Sequence, residues 1–147
     1  LVGLRYFNVF GPRENFKGKM SSMIYQLARQ MKAGKNPRIF KYGEQERDHI
    51  YVKDIVNATI KAASYKSFGI FNVSTGIKTS YNQLIHYLNK TLGTDYKPEY
   101  FDNPYVDSYQ NVTVADTRKT ESELKFASEY SVLEGIKDYM KWLDNIN

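Results

Sequence analysis

The chain has 147 residues, about one domain's worth, and its 41% hydrophobic and 15% aromatic content is enough for a packed core. It has no cysteine, which excludes disulfides and thiolate metal sites, and its two histidines, His49 and His86, lie in separate segments, which argues against a histidine metal site. No apolar run approaches the ~20 residues of a membrane helix and no secretory signal is present. The net charge of +5 is uneven: residues 1–53 carry 11 Lys/Arg against 4 Asp/Glu, a balance of +7, and residues 54–147 carry 10 against 12, a balance of −2. That bias reads either as a localised anion site or as a solvated basic face.

The opening run LVGLRYFNV is β-branched, aromatic and apolar, a buried strand that Gly11-Pro12 ends. From Met20, apolar residues recur at Met23, Ile24, Leu27, Ala28 and Met31, the spacing of an amphipathic helix, with Gly34 as its C-cap. Strands are expected over Pro37–Gly43 and Asp48–Val52. Asp54 stands where a carboxylate favours a helix N-terminus, and a helix follows from Ile55 to Tyr65. Gly69–Thr75 reads as a strand. Ser80 and Gln83 form a capping box for a helix carrying Leu84, Ile85 and Leu88, which Gly93 closes. KPEYF and SYQNVTVAD read as strands on either side of Asn103-Pro104, and Asp116 caps a short helix to Phe126. A second capping box, Ser131 with Glu134, leads a final helix with Leu133, Ile136, Met140 and Leu143 on its core face. Alternating strands and helices make α/β the expected class.

Chemistry is expected near the start. Ligands of open α/β sheets bind beyond the carboxyl ends of strands, where Asn8 either offers its amide to phosphate or sugar oxygens or bonds its own backbone in a turn. Lys17 and Lys19 flank Gly18 just before a helix, a place that favours an anion. A lysine there acts as a point charge, as an acid/base if partly desolvated, or merely as an exposed side chain. Arg47, just ahead of a strand, can fork two hydrogen bonds to a diphosphate, with Asp48 and Asp54 positioning it or capping the next helix; structural ion pairing is the alternative. No two of the nine glycines are closer than seven residues, so the sequence contains no glycine-rich dinucleotide loop, and no tyrosine is followed by lysine four residues later.

In their order along the chain, RYFNVFGPR, RDHIYVKDIV, FNVSTG and the C-terminal LEGIKDYMKWL resemble the C-terminal half of extended short-chain dehydrogenases/reductases that act on nucleotide sugars. Within that family, GPRENFKGKM and SYQNVTVAD look most like the members that epimerise ADP-heptose at C6 for the lipopolysaccharide inner core of Gram-negative bacteria. The pattern departs from the enterobacterial form at Lys19, a serine there, and at Gln26, a histidine there; the loop before Arg47 is one residue shorter.

The resemblance implies the end of a Rossmann-type parallel sheet plus the smaller substrate-binding α/β domain over residues 1–147. The NAD(P)-binding half would then lie outside this chain, which opens on Leu1 already inside an apolar run, as a stretch cut from a longer protein would. It also implies roles. Lys17 would be the second acid/base, opposite a tyrosine supplied from outside this chain, and with the backbone at Val9 it would border the cofactor, NADP or NAD. Asn8, Lys19 and Gln26 would contact the substrate. Phe40, Lys41, Tyr42 and Gly43 would line its nucleotide, with Arg47 on the diphosphate and Tyr109 beside it. The implied reaction is transient oxidation at C6 by a cytoplasmic enzyme that forms homo-oligomers and has no nucleic-acid or membrane partner. A 4-epimerase or 4,6-dehydratase of the same family is the alternative. A basic nucleic-acid-binding domain is a more distant one, because the aromatics sit at core-periodic positions and no such motif is present.

Overall fold

The computed structural model describes residues 1–40, 42–102 and 110–146. In chain order the elements are β1 (Val2–Tyr6), β2 (Val9–Phe10), a 3₁₀ turn over Gly18–Met20, α1 (Met23–Lys32), β3 (Arg38–Phe40), β4 (Glu46–Asp48), β5 (Ile50–Tyr51), α2 (Val52–Ala63) and β6 (Gly69–Val73). They continue as β7 (Lys78–Ser80), α3 (Tyr81–Leu92), β8 (Glu99–Phe101), β9 (Val112–Thr113), α4 (Arg118–Leu124) and α5 (Val132–Asn145). β1 pairs with β6, β2 with β5, β3 with β8 and β4 with β9, all parallel, while β4 with β7 is antiparallel. The class is α/β, as expected.

Two apolar cores explain why the opening run does not stay one strand. In the first, α1, α3 and α5 pack around Phe10, Ile39 and Tyr51. In the second, α2, β6 and the Leu124–Phe126 segment pack around Ile50, with Leu4 and Val9 against them. The chain therefore changes cores twice at neighbouring places, between Val9 and Phe10 and between Ile50 and Tyr51. β1 follows β6, β2 follows β5, and Asn8 occupies the break between them. The expected strand over Asp48–Val52 is broken in the same way, at His49, and Val52 already begins α2.

The first core is tight where these strands meet α5. A Cβ on Gly135 would lie 2.7 Å from Phe10 Cζ and 3.0 Å from Tyr51 Cγ, so the helix passes the rings at a distance only glycine allows. Tyr51 Oη also donates to Asp138 Oδ2 at 2.6 Å, and Lys53 pairs with the same oxygen at 2.7 Å. These contacts tie β5 to α5, and the Lys53 and Tyr51 hydrogen bonds hold the Asp138 carboxyl below its ordinary range.

Both capping boxes form, with Ser80 and Ser131 accepting from the backbones of Gln83 and Glu134 and receiving their side chains in return. Gly93 closes α3 in the left-handed region at φ +67°. Other expectations need correction. The first helix starts at Met23, with Ser22 as N-cap, because Gly18–Met20 tightens into a 3₁₀ turn that leaves Met20 exposed; its C-cap is Ala33, one residue before Gly34. Asp116 lies one residue before the N-cap, Thr117, and its carboxylate accepts from the Arg118 backbone. On α5 the buried stripe runs Val132, Ile136, Tyr139, Met140 and Leu143, while Leu133 is only half-buried. Within SYQNVTVAD, the described part is strand only at Val112–Thr113.

Candidate functional site

The loop from Gly11 to Ser22 is folded around one carboxylate. Glu14 is 4% exposed; its Oε1 accepts from Gly11 N at 3.4 Å and Ser22 Oγ at 2.7 Å, and its Oε2 accepts from Ser22 N at 2.6 Å. Ser22 Oγ in turn accepts from Tyr25 N, so one buried acid joins the end of β2 to the start of α1. Gly11 sits at φ +146° with Val52 Cγ1 only 2.5 Å from where a Cβ would stand, so this entry to the loop admits no side chain. Two turn bonds, Lys17 N to Glu14 O and Met20 N to Lys17 O, each 3.0 Å, fix the backbone of Lys17. Its side chain is exposed and has no hydrogen-bond or ion-pair partner among the described residues.

Beneath this loop lies a cavity of about 350 Å³ whose lining includes Asn8, Val9, Glu14, Lys17, Gln26 and His49. Four of the sequence-predicted residues, Asn8, Val9, Lys17 and Gln26, thus meet in one place. Asn8 is fixed on both sides of His49: its Nδ2 donates to Asp48 O at 3.0 Å, and its own carbonyl accepts from Ile50 N at 3.3 Å. Gln26 is half-buried and donates to Ser21 O at 2.8 Å and Lys19 O at 3.3 Å.

The other predicted residues lie elsewhere. Lys19 borders a neighbouring cavity of about 460 Å³ with Arg29 and Lys35, and Gln26 forms part of the wall of both. Phe40 packs edge-on against Phe101 at 4.9 Å between ring centroids, and the exposed Tyr42 packs against Tyr100 at 6.2 Å. Gly43 is a buried packing position, where a Cβ would fall 2.1 Å from Asn82 Oδ1. Arg47 lies within β4; its Nη1 donates to Glu46 O at 2.9 Å and Asn111 O at 3.2 Å, and its Nη2 donates to Gln110 O at 2.5 Å. Lys41 and Tyr109 lie outside the described residues.

Asp48 and Asp54 are structural acids. Asp48 is fully buried and accepts from Thr75, Gly76 and Ala115. Asp54 lies in the first turn of α2 and accepts from the backbone N–H groups of Glu129 and Tyr130, while burial raises its pKa. No group of three His, Cys, Asp or Glu among the described residues could hold a metal ion. No helix among them is long and apolar enough to cross a membrane.

Sequence reasoning passed over Glu14 and His49. Glu14 carries no local signal, since its partners lie three and eight residues away across a loop. His49 does carry one: it is a polar ring inside the apolar run HIYV, and it is 3% exposed. Burial pushes its pKa down to about 4, against the pull of the Asp48 carboxylate and with help from the Arg47 guanidinium. An unfolded His49 protonates near pH 6.5 and the folded one only near pH 4, so its share of stability is complete above about pH 6.5 and is lost as pH falls toward 4. By pH 5 the loss is about 2 kcal/mol. Urea unfolding of wild type and His49→Phe at pH 7 and pH 5 checks this. The difference between the two proteins should move by about that amount in the variant's favour, and a constant difference would show that His49 does not resist protonation.

The profile of the NAD dependent epimerase/dehydratase family matches residues 1–74, half of the chain, including the whole segment from β1 through the Asn8–His49 seam to the turn after β6. The chain belongs to the NAD-dependent epimerase/dehydratase family. Three solved structures are similar to this family member throughout. The Helicobacter pylori ADP-L-glycero-D-manno-heptose-6-epimerase is 38% identical with a TM-score of 0.89 over 97% of this chain and 43% of that one. The Methanobrevibacter ruminantium UDP-N-acetylglucosamine 4-epimerase, in complex with UDP-N-acetylmuramic acid, is 31% identical with a TM-score of 0.90 over 99% and 46%. The Bacillus cereus UDP-glucuronic acid 4-epimerase, in complex with UDP-glucuronic acid and NAD, is 26% identical with a TM-score of 0.85 over 98% and 45%. The chain therefore spans a little under half the length of the structures it matches.

Proposed function

We propose that this chain is the substrate-binding part of a nucleotide-sugar epimerase, and that its substrate is ADP-heptose, epimerised at C6. The observation that carries the reading is the cavity whose lining brings Lys17 together with Asn8 at the break between β1 and β2. The 38% identity to the Helicobacter pylori heptose epimerase supports the heptose over other sugars. The UDP-N-acetylglucosamine 4-epimerase, at 31% identity and the same fold similarity, supports a UDP-sugar 4-epimerase as the second reading.

The cofactor expected with this family is NADP or NAD. The residues of this chain that would border it are the half-buried Val9 and Lys17, which line the same cavity. The glycine loop for its diphosphate is not in this sequence. When bound, the nicotinamide supplies reversible oxidation at the sugar carbon. This chain's residues bind, orient and move protons. Asn8 keeps one amide hydrogen and its Oδ1 for the sugar while its other hydrogen is held by Asp48 O. Lys17 holds the proton that leaves and returns to the C6 oxygen on one face of the sugar. For Arg47 to reach the diphosphate, its fork must give up backbone carbonyls it now holds.

The reading is tested by offering ADP-D-glycero-D-manno-heptose or UDP-N-acetylglucosamine, with NADP or NAD, to the full-length protein and following epimer formation by NMR. Turnover of the ADP-heptose alone supports the first reading and turnover of the UDP-sugar alone supports the second. Turnover of neither defeats both. The 147-residue stretch by itself is expected to turn over nothing.

A further inference from the structure

A buried imidazole without partners is an expensive arrangement. His49 is 3% exposed, and neither Nδ1 nor Nε2 has a hydrogen-bond partner among the described residues. Leaving a buried polar group unpaired is destabilising, and here the donor and the acceptor of one ring are both unpaired among the described residues. His49 is among the residues that line the same cavity as Asn8 and Lys17. Its backbone cannot drift away, because Asn8 bonds the residues on both sides of it. Two other polar groups of that wall are already engaged: both oxygens of Glu14 with Gly11 and Ser22, and the amide nitrogen of Gln26 with Ser21 and Lys19.

We propose that His49 is a ligand-contacting residue, which pairs its imidazole with a hydroxyl of the sugar held in the Asn8–Lys17 cavity and so selects for that sugar. The proposal rests on the nucleotide-sugar reading and adds a residue to its site. A hydroxyl is favoured over a phosphate on charge. Phosphate oxygens only accept and are best met by cations, whereas an uncharged imidazole carries one donor and one acceptor, the same pair a hydroxyl offers. His49 stays uncharged at neutral pH because burial disfavours its protonated form.

The test compares a sugar nucleotide with its sugar-free counterpart. In the full-length protein, the affinities of ADP-heptose and ADP, and of UDP-N-acetylglucosamine and UDP, are measured by calorimetry for wild type, His49→Phe and His49→Gln. His49→Phe keeps a buried planar ring and removes both nitrogens. It should weaken binding of the cognate sugar nucleotide about tenfold or more, leave the matching nucleoside diphosphate unchanged, and melt no lower than wild type at neutral pH. His49→Gln should recover part of the loss. Equal affinities for wild type and His49→Phe would overturn the proposal while leaving the epimerase reading intact, and so would equal losses for the sugar nucleotide and its diphosphate. A lower melting temperature with unchanged binding would make His49 a structural group and overturn it as well. A wild-type protein that binds neither sugar nucleotide would defeat the epimerase reading, and the role of His49 with it.

Discussion

Lys17→Met in the full-length protein is expected to lower kcat by roughly 10²–10⁴, the usual worth of a general acid/base, while changing KM little. Methionine keeps the apolar stem and removes the amine, so the loss reports on the proton carrier and not on packing. The loop around it should survive, because the bonds that shape it belong to the Lys17 backbone and to Glu14, and the lysine side chain has no partner among the described residues. Two carriers on opposite faces are useful only if the oxidised sugar presents both faces in turn, which is the demand of epimerisation at one carbon. An intact kcat with a raised KM would reduce Lys17 to a charge contact and bring the UDP-sugar 4-epimerase reading forward. A comparable fall in Glu14→Gln would not discriminate, since that acid holds the loop. The informative comparison is Lys17→Arg, which keeps the charge but cannot release a proton near neutral pH. It should be nearly as slow as Lys17→Met.

The parts of this molecule that were legible in the sequence are those whose cause is local. A capping box needs two side chains three residues apart, so Ser80–Gln83 and Ser131–Glu134 could be read off and both form. Helix periodicity likewise placed Ile24, Leu27, Ala28 and Met31 in the core, where they are buried. Errors gathered where a distant partner decides. The first run breaks at Asn8 because its halves join strands 67 and 41 residues further along, a choice that an unbroken apolar pattern does not reveal. The helix start moved to Met23 because Glu14 engages Ser22 from eight residues upstream. The site shows the same division. Asn8 and Lys17 carry the family motif and line one cavity, whereas His49 comes to that cavity through the interruption between β4 and β5, a break that no local pattern signals.

Asp48→Ala is expected to destabilise the fold by about 3–5 kcal/mol, the largest stability effect among the single changes considered. Asp48 is fully buried, and its two oxygens carry four hydrogen bonds: Oδ1 accepts from Thr75 N at 3.0 Å and Thr75 Oγ1 at 2.6 Å, and Oδ2 from Gly76 N at 2.9 Å and Ala115 N at 3.1 Å. These partners are 27, 28 and 67 residues away, so one carboxylate joins β4, the turn after β6 and the chain after β9. Alanine leaves the buried N–H of Ala115 with no acceptor, while water can reach the donors of the more open Thr75–Gly76 turn, which keeps the loss below the sum of four separate bonds. Asp48→Asn keeps one acceptor oxygen but replaces the other with a donor facing N–H groups, so it should lose more than half as much as alanine does. Urea unfolding monitored by circular dichroism measures both variants, and a loss under about 1 kcal/mol for Asp48→Ala would show that the four bonds are not what holds these segments together. Because Asp48 O also accepts from Asn8, loosening this junction should reach the cavity too. Sugar-nucleotide affinity in Asp48→Asn should therefore fall even where the protein remains folded, which separates a junction that positions the site from one that only stabilises the chain.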